Sequence, residues 1–209
     1  MSADAAAGPP SVPGARRPPA AVQFLGRFLK DPRAVGAVAP SGRRLAAAML
    51  DSVDWANAEC VLEFGPGTGP FTRGVPARLR DGGRFLAVER DPAFVARLRA
   101  ELPHVDVAHA DVVGVAAELD RRGLGPADAI LCGLPWAAFP PELQRTLMTA
   151  TVAHLRPGGT FATFAYVQGA VLPAGRRFRA LLGERFARVE KSPVVWRNAP
   201  PAFVYRCEK

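Results

Sequence analysis

The chain has 209 residues, 49% of them hydrophobic, which suits one domain with a real core and excludes a globally disordered chain. No apolar run approaches the length needed to span a bilayer, and the Ala/Pro/Gly-rich residues 1–19 lack the apolar core of a signal peptide and read as a disordered tail. The formal charge is +8, and residues 16–44 hold seven basic side chains against the single acid Asp31, so that window's partner is read as anionic: a phospholipid surface, a nucleic acid, or only solvent.

Residues 20–55 read as N-terminal helices ahead of a domain spanning 56–209. Ala21 to Lys30 places Ala21, Phe24, Leu25 and Phe28 at helical spacing, with Arg27 and Lys30 flanking them and Pro32 as a stop. Such a helix suits the membrane interface, and equally suits a lid packed over the domain. Val35 to Gly42 leads into a second helix through Leu50, with Ser41 as N-cap.

Cys60 to Phe64 predicts the first strand, and it ends in Gly65-Pro66-Gly67-Thr68-Gly69. A helix is expected over Pro70 to Arg80 despite Gly74 and Pro76, and a second strand over Arg84 to Glu89. Strand, glycine loop, helix, strand and acid is how an α/β sheet holds a nucleoside. The spacing is not G-x-G-x-x-G, and Glu63 stands just two residues before the first glycine, so a dinucleotide is disfavoured.

Asp91-Pro92 starts the next helix, Val105 to His109 is a short strand, and Asp111 follows it, either as a ligand contact or as the cap of a helix over Val112 to Arg122. Ala127 to Cys132 predicts a fourth strand ending in Gly133-Leu134-Pro135-Trp136. Ligands bind beyond the carboxyl ends of such strands, so this turn borders the site. Trp136 can stack on a base, hold an ammonium by cation–π attraction, or simply wall the pocket.

Pro141 to Leu155 is a helix stopped by Arg156-Pro157-Gly158-Gly159, and Thr160 to Tyr166 a fifth strand that brings Tyr166 to the ligand edge. A helix lies within Leu172 to Arg185. Phe186 to Trp196 and Ala202 to Cys207 read as a terminal hairpin. If its first strand runs parallel to the rest, Arg197 in the joining turn faces the pocket as a cation for phosphate; otherwise it is a solvated turn residue. The three cysteines, Cys60, Cys132 and Cys207, show no CxxC spacing and read as reduced thiols in a cytoplasmic protein. The three histidines are not spaced as metal ligands, so no metal is expected.

The element order, the loop Glu63-Phe64-Gly65-Pro66-Gly67-Thr68-Gly69, Glu89 and Asp111 together resemble the class I S-adenosylmethionine-dependent methyltransferases, from about Ala56 to the C-terminus. The resemblance implies a Rossmann-like α/β fold with a seven-stranded, mostly parallel sheet, an antiparallel last strand and helices on both faces. It implies S-adenosyl-L-methionine as cofactor, with Gly65, Gly67 and Gly69 at its methionine part, Glu89 at the ribose, Asp111 at the adenine, and Glu63 and Gly133 as further cofactor contacts. Two groups in this superfamily share the loop. The ribosomal RNA adenine dimethylases carry Asn-Leu-Pro-Tyr where this chain has Gly133-Leu134-Pro135-Trp136, and carry a separate helical domain after the catalytic fold that is not expected in these residues. The bacterial phospholipid N-methyltransferases are also similar at Gly36 to Ser41, the Gly-Leu-Pro turn, Tyr166, and Val195-Trp196-Arg197-Asn198-Ala199-Pro200-Pro201.

The latter resemblance implies methylation of a phosphatidylethanolamine-type amine by a cytoplasmic enzyme, peripheral on the inner membrane face, that docks through its basic N-terminal helix. Tyr166 and Trp136 are then the catalytic candidates, and Arg197, Asn198 and Ser41 the substrate-binding ones. An RNA-modifying enzyme and a soluble small-molecule methyltransferase remain as rival expectations.

Overall fold

The computed structural model describes residues 42–209; the expected tail, the amphipathic stretch 21–30 and Ser41 lie outside the described residues. Seven strands form one sheet: β1 (Cys60–Phe64), β2 (Arg84–Glu89), β3 (Asp106–His109), β4 (Ala127–Cys132), β5 (Leu155–Tyr166), β6 (Arg188–Lys191) and β7 (Ala202–Glu208). Their order is β3-β2-β1-β4-β5-β7-β6. β1 through β5 are parallel to one another, and β7 is antiparallel to both β5 and β6. This is the expected Rossmann-like sheet. β1 lies between β2 and β4, so the strand order reverses at β1, and the crevice that serves ligands lies beyond the carboxyl ends of β1 and β4.

Helices cover both faces, which is why the central strands are apolar in both directions. On one face α1 (Arg43–Leu50) packs Leu45, Met49 and Leu50 against Val61, Leu131 and Val204, and α2 (Pro92–Glu101) packs Val95 and Leu98 against Ala87 and Val107. On the other face α3 (Val115–Arg122), α4 (Pro141–Ala153) and α6 (Pro173–Arg185) bring Leu119, Leu147, Met148, Phe178 and Leu182 onto Leu62, Phe64, Ile130 and Phe161. The single turn α5 (Val167–Ala170) joins β5 to α6. α1 falls in the stretch read as N-terminal helices, yet its buried side chains share the core of the sheet domain. At about 1.5–3 kcal/mol for each fully buried large apolar side chain, it helps stabilise that domain.

Three local expectations are corrected. Residues 70–80 form only a 3-10 turn, Thr72–Gly74, followed by further turns. Pro76 removes a donor, and at Gly74 a Cβ would come within 2.5 Å of Leu50 Cδ1, so the bare glycine lets this turn press onto α1. α3 starts at Val115, with Gly114 before it. Arg156 to Gly159 is not a turn ahead of β5 but a bulge inside it: Leu155 pairs with Ala127 and Thr160 with Ala129, and Gly158 takes φ +71°. All three cysteines are buried and free in strands. Among the described residues no helix is long and apolar enough to cross a membrane.

Candidate functional site

The glycine loop after β1 turns on three left-handed residues, Gly65 (φ +67°), Gly67 (φ +57°) and Gly69 (φ +78°), which non-glycine residues adopt only with strain. Its start is fixed by Gly65 N–H donating to Val88 O at 3.0 Å. Gly133, after β4, donates its N–H to Phe64 O at 2.8 Å. A Cβ on Gly133 would sit 2.5 Å from Gly65 O, so the two loops touch through backbone at the switch point. Around Gly67 there is open space, with nothing within 4 Å of a built Cβ.

Two carboxylates frame this loop from the ends of neighbouring strands. Glu89 is buried, and its Oε2 accepts from Gly67 N–H at 3.0 Å while Oε1 accepts from the N–H groups of Arg90 and Asp91, each at 2.8 Å. Glu63 is fully buried and neither of its oxygens has a partner. Burial pushes its carboxyl up to about 8; Thr72 lies close enough to offset part of this, and the charge of Glu89 adds to it. No hydrogen bond reaches either Glu63 oxygen, and the buried Thr72 hydroxyl is unpartnered as well. A carboxyl and a hydroxyl left orphaned beside open glycine backbone form an acceptor set for a cation. Thr72 escaped the sequence reading because it sat in an expected helix; its one signal was its place three residues after Gly69.

Asp111 is exposed beyond β3, and its Oδ1 accepts from Gly114 N–H at 2.7 Å. It closes a turn and does not cap α3, which begins at Val115 without a side-chain cap.

Beyond β4 and β5 lies a cavity of about 70 Å³, walled by Trp136, Phe164, Tyr166, Ala170, Phe178 and Tyr205 among others. Trp136 is only 3% exposed and stacks on Phe178, with centroids 4.9 Å apart. That face is therefore closed to a base, and the ring serves as cavity wall. Tyr166 ends β5, packs edge-on against Phe164, and has its phenol pushed up by burial, which favours the neutral hydroxyl.

β6 runs parallel to β5, so the loop from Ser192 to Pro201 does emerge at the ligand edge. Arg197 is exposed there. Asn198 is buried, and its amide is occupied: Oδ1 accepts from Gly42 N–H at 2.9 Å and Nδ2 donates to Pro200 O at 2.6 Å. It ties this loop to the N-terminus of α1.

The sheet order, the glycine loop at its switch point and the acids ending β1 and β2 define a class I S-adenosylmethionine-dependent methyltransferase. The residues present fit this cofactor: the buried Glu63 carboxyl and Thr72 hydroxyl without partners would suit an ammonium, and an acid ending β2 would suit ribose hydroxyls. A methyltransferase-domain model matches residues 61–159. The chain is 35% identical over 187 residues to the ornithine lipid N-methyltransferase of Singulisphaera acidiphila, covering 88% of this chain and 93% of that one. It belongs to the same methyltransferase family as that enzyme. A shorter likeness, 31% over 98 residues, joins it to ribosomal RNA small subunit methyltransferase A of Chlorobium luteolum, covering 44% of this chain and 34% of the relative. In fold it is similar to the N-methyltransferase NodS of Bradyrhizobium japonicum in complex with S-adenosyl-L-homocysteine, with TM-score 0.64, 18% identity and coverage of 90% and 97%.

Proposed function

We propose that this enzyme methylates the amine nitrogen of a membrane-lipid head group, of the phosphatidylethanolamine or ornithine-lipid type, at an anionic membrane surface. The observation that carries the reading is the sequence likeness over nearly the whole chain to a lipid N-methyltransferase, against 44% of the chain for the ribosomal RNA methyltransferase. Gly133 standing where an RNA adenine dimethylase has Asn supports the same choice.

Bound S-adenosylmethionine supplies a methyl group activated by its sulfonium. Glu63, with Thr72 beside it, receives the ammonium of the methionine part at the loop of Gly65, Gly67 and Gly69. Glu89 receives the ribose hydroxyls, and Asp111 the adenine amino group. Tyr166 orients the acceptor nitrogen through its neutral hydroxyl, and Trp136 walls the cavity the nitrogen enters. An ammonium is desolvated at a cost in an apolar cavity, so the site favours the neutral amine, which alone has the lone pair for attack. The residues lining the cavity would contribute further by holding that nitrogen in place toward the bound cofactor, a positioning effect. Arg197 suits the anionic part of the head group, a phosphate or a carboxylate.

The test is transfer of a labelled methyl group to phosphatidylethanolamine, ornithine lipid, total RNA and small amines, each alone. Lipid amines are expected to be labelled, with Tyr166→Phe lowering kcat while leaving cofactor affinity intact. Labelling of RNA or of small amines alone would refute the lipid reading.

A further inference from the structure

Among the described residues four large apolar side chains are strongly exposed: Val113, Val171, Leu172 and Trp196, the last at 72%. Their places in the fold are not scattered. Val113 follows β3, Val171 and Leu172 follow β5 after the single turn α5, and Trp196 follows β6. All four therefore lie beyond the carboxyl ends of the parallel strands, at the edge that holds the candidate site.

Pairing brings two of these segments close together. Tyr166 pairs with Ala202, and Ala202 bridges to Val195, while Val167 N–H donates to Pro201 O at 3.0 Å. Tyr166 and Val195 are thus about two strand spacings apart, roughly 10 Å, with Trp196 next to one and α5 next to the other. The charge of these segments is one-sided. Residues 166–180 and 192–201 contain Arg176, Arg177, Arg179 and Arg197 and no acid. Arg176, Arg177 and Arg197 are exposed.

An exposed Trp and Leu on two arginine-bearing segments that hold no acid match the layered chemistry of a bilayer interface; exposed Asp111 lies at the Val113 end of the same edge, away from them in sequence. Aromatic and aliphatic groups enter the headgroup boundary, and guanidinium groups meet anionic lipid phosphates. We propose that the loop around Trp196 and the Val171–Leu172 turn form a docking surface for an anionic phospholipid bilayer, built from residues of the folded domain. The mouth of the cavity beside Tyr166 would then face the lipid directly. A lipid head group would need to rise only a short way from the membrane to reach it. This inference rests on the reading of the acceptor as a membrane lipid.

The experiment uses the full chain with vesicles of mixed neutral and anionic phospholipid, some carrying brominated acyl chains. Bromine quenches an indole only when it enters the bilayer boundary, and the signal of Trp196 is the difference between wild type and Trp196→Phe. Quenching of that signal is expected, together with roughly tenfold weaker flotation for Leu172→Ala combined with Trp196→Ala. S-adenosyl-L-homocysteine affinity and methyl transfer to lipid amine in detergent micelles should be unchanged in the double variant. An unquenched Trp196 with unaltered flotation overturns the docking surface even if lipid amines are methylated. Trp196 protected by RNA and not by vesicles overturns it too. Intact quenching without any lipid methylation would sink the acceptor reading instead and leave the docking surface standing.

Discussion

Gly67 and Glu89, 22 positions apart in sequence, are joined by a 3.0 Å hydrogen bond from the glycine N–H to the carboxylate. The acid at the end of β2 thus holds the middle of the loop after β1, and it also takes the N–H groups of Arg90 and Asp91. Glu89→Ala should act twice. It removes the proposed acceptor of two ribose hydroxyls, and it leaves Gly67, Arg90 and Asp91 without their acceptor. At about 1.5–3 kcal/mol for a hydrogen bond to a charged group, calorimetric titration should read cofactor affinity weakened roughly a hundredfold. A lowered melting temperature in the cofactor-free protein should accompany it. Unchanged affinity would remove Glu89 from the ribose.

Glu63 should make stability and cofactor binding depend on pH. Its carboxyl is pushed from an ordinary 4.5 up to about 8 by burial. Between those values the folded protein holds a proton that the unfolded chain has released. Stability of the cofactor-free protein therefore falls as pH rises from about 4.5 through about 8, by on the order of 1 kcal/mol per pH unit. Urea unfolding at pH 6 and pH 8.5 measures the slope, and the isosteric Glu63→Gln should flatten it. An arriving ammonium favours the ionised form, so binding near pH 7 should release close to one proton. Titration in two buffers of different ionisation enthalpy reads that number; heats that do not change with buffer would count against a protonated Glu63.

The parts of this site that obey local rules were legible in the residues, and those set by distant packing were not. The run Val61 to Phe64 followed by three spaced glycines carries strand and loop on its face, and Asp91-Pro92 announces α2, where Asp91 Oδ1 accepts from Ala93 N–H at 2.8 Å. The helix expected over 70–80 fails partly for a local reason, Pro76, and partly through packing the residues do not announce, the close approach of Gly74 to Leu50. Arg156 to Gly159 has the composition of a turn but becomes a bulge, because its backbone pairs with the C-terminus: Gly158 N–H donates to Lys209 O at 2.8 Å. Trp136 looked available to a ligand because its stacking partner, Phe178, lies on α6.

Gly133 tests how far the strand-four turn can be moved toward an RNA enzyme. Gly133→Asn would install the residue that an adenine dimethylase carries there. In this fold the new Cβ meets Gly65 O at 2.5 Å, a backbone atom of a residue whose N–H is tied to Val88 O. Gly133→Ala should already cost about 1–3 kcal/mol and weaken cofactor binding, since relief of the clash must shift the glycine loop. Gly133→Asn should do the same without gaining RNA methylation. Thermal denaturation with and without S-adenosyl-L-homocysteine checks both, and a fully stable Gly133→Ala would mean that the loops separate more easily than their contact implies.

Asn198 should prove to be a clamp. Its amide spans 156 positions of sequence to reach Gly42 N–H, and its other end holds Pro200 O. Asn198→Ala strands a donor and an acceptor in a part-buried place, at about 1–3 kcal/mol, so the melting temperature should fall by roughly 3–8 °C. Asn198→Asp keeps the acceptor and loses only the donor. Hydrogen exchange separates the two: the Gly42 amide should lose protection in the Ala variant and keep it in the Asp variant. A direct contact with substrate predicts something else, a raised KM for the acceptor in both variants with Gly42 protection unchanged. A clamp predicts instead that the Asp variant retains most of the wild-type KM, because the loop bearing Arg197 still stands against the start of α1.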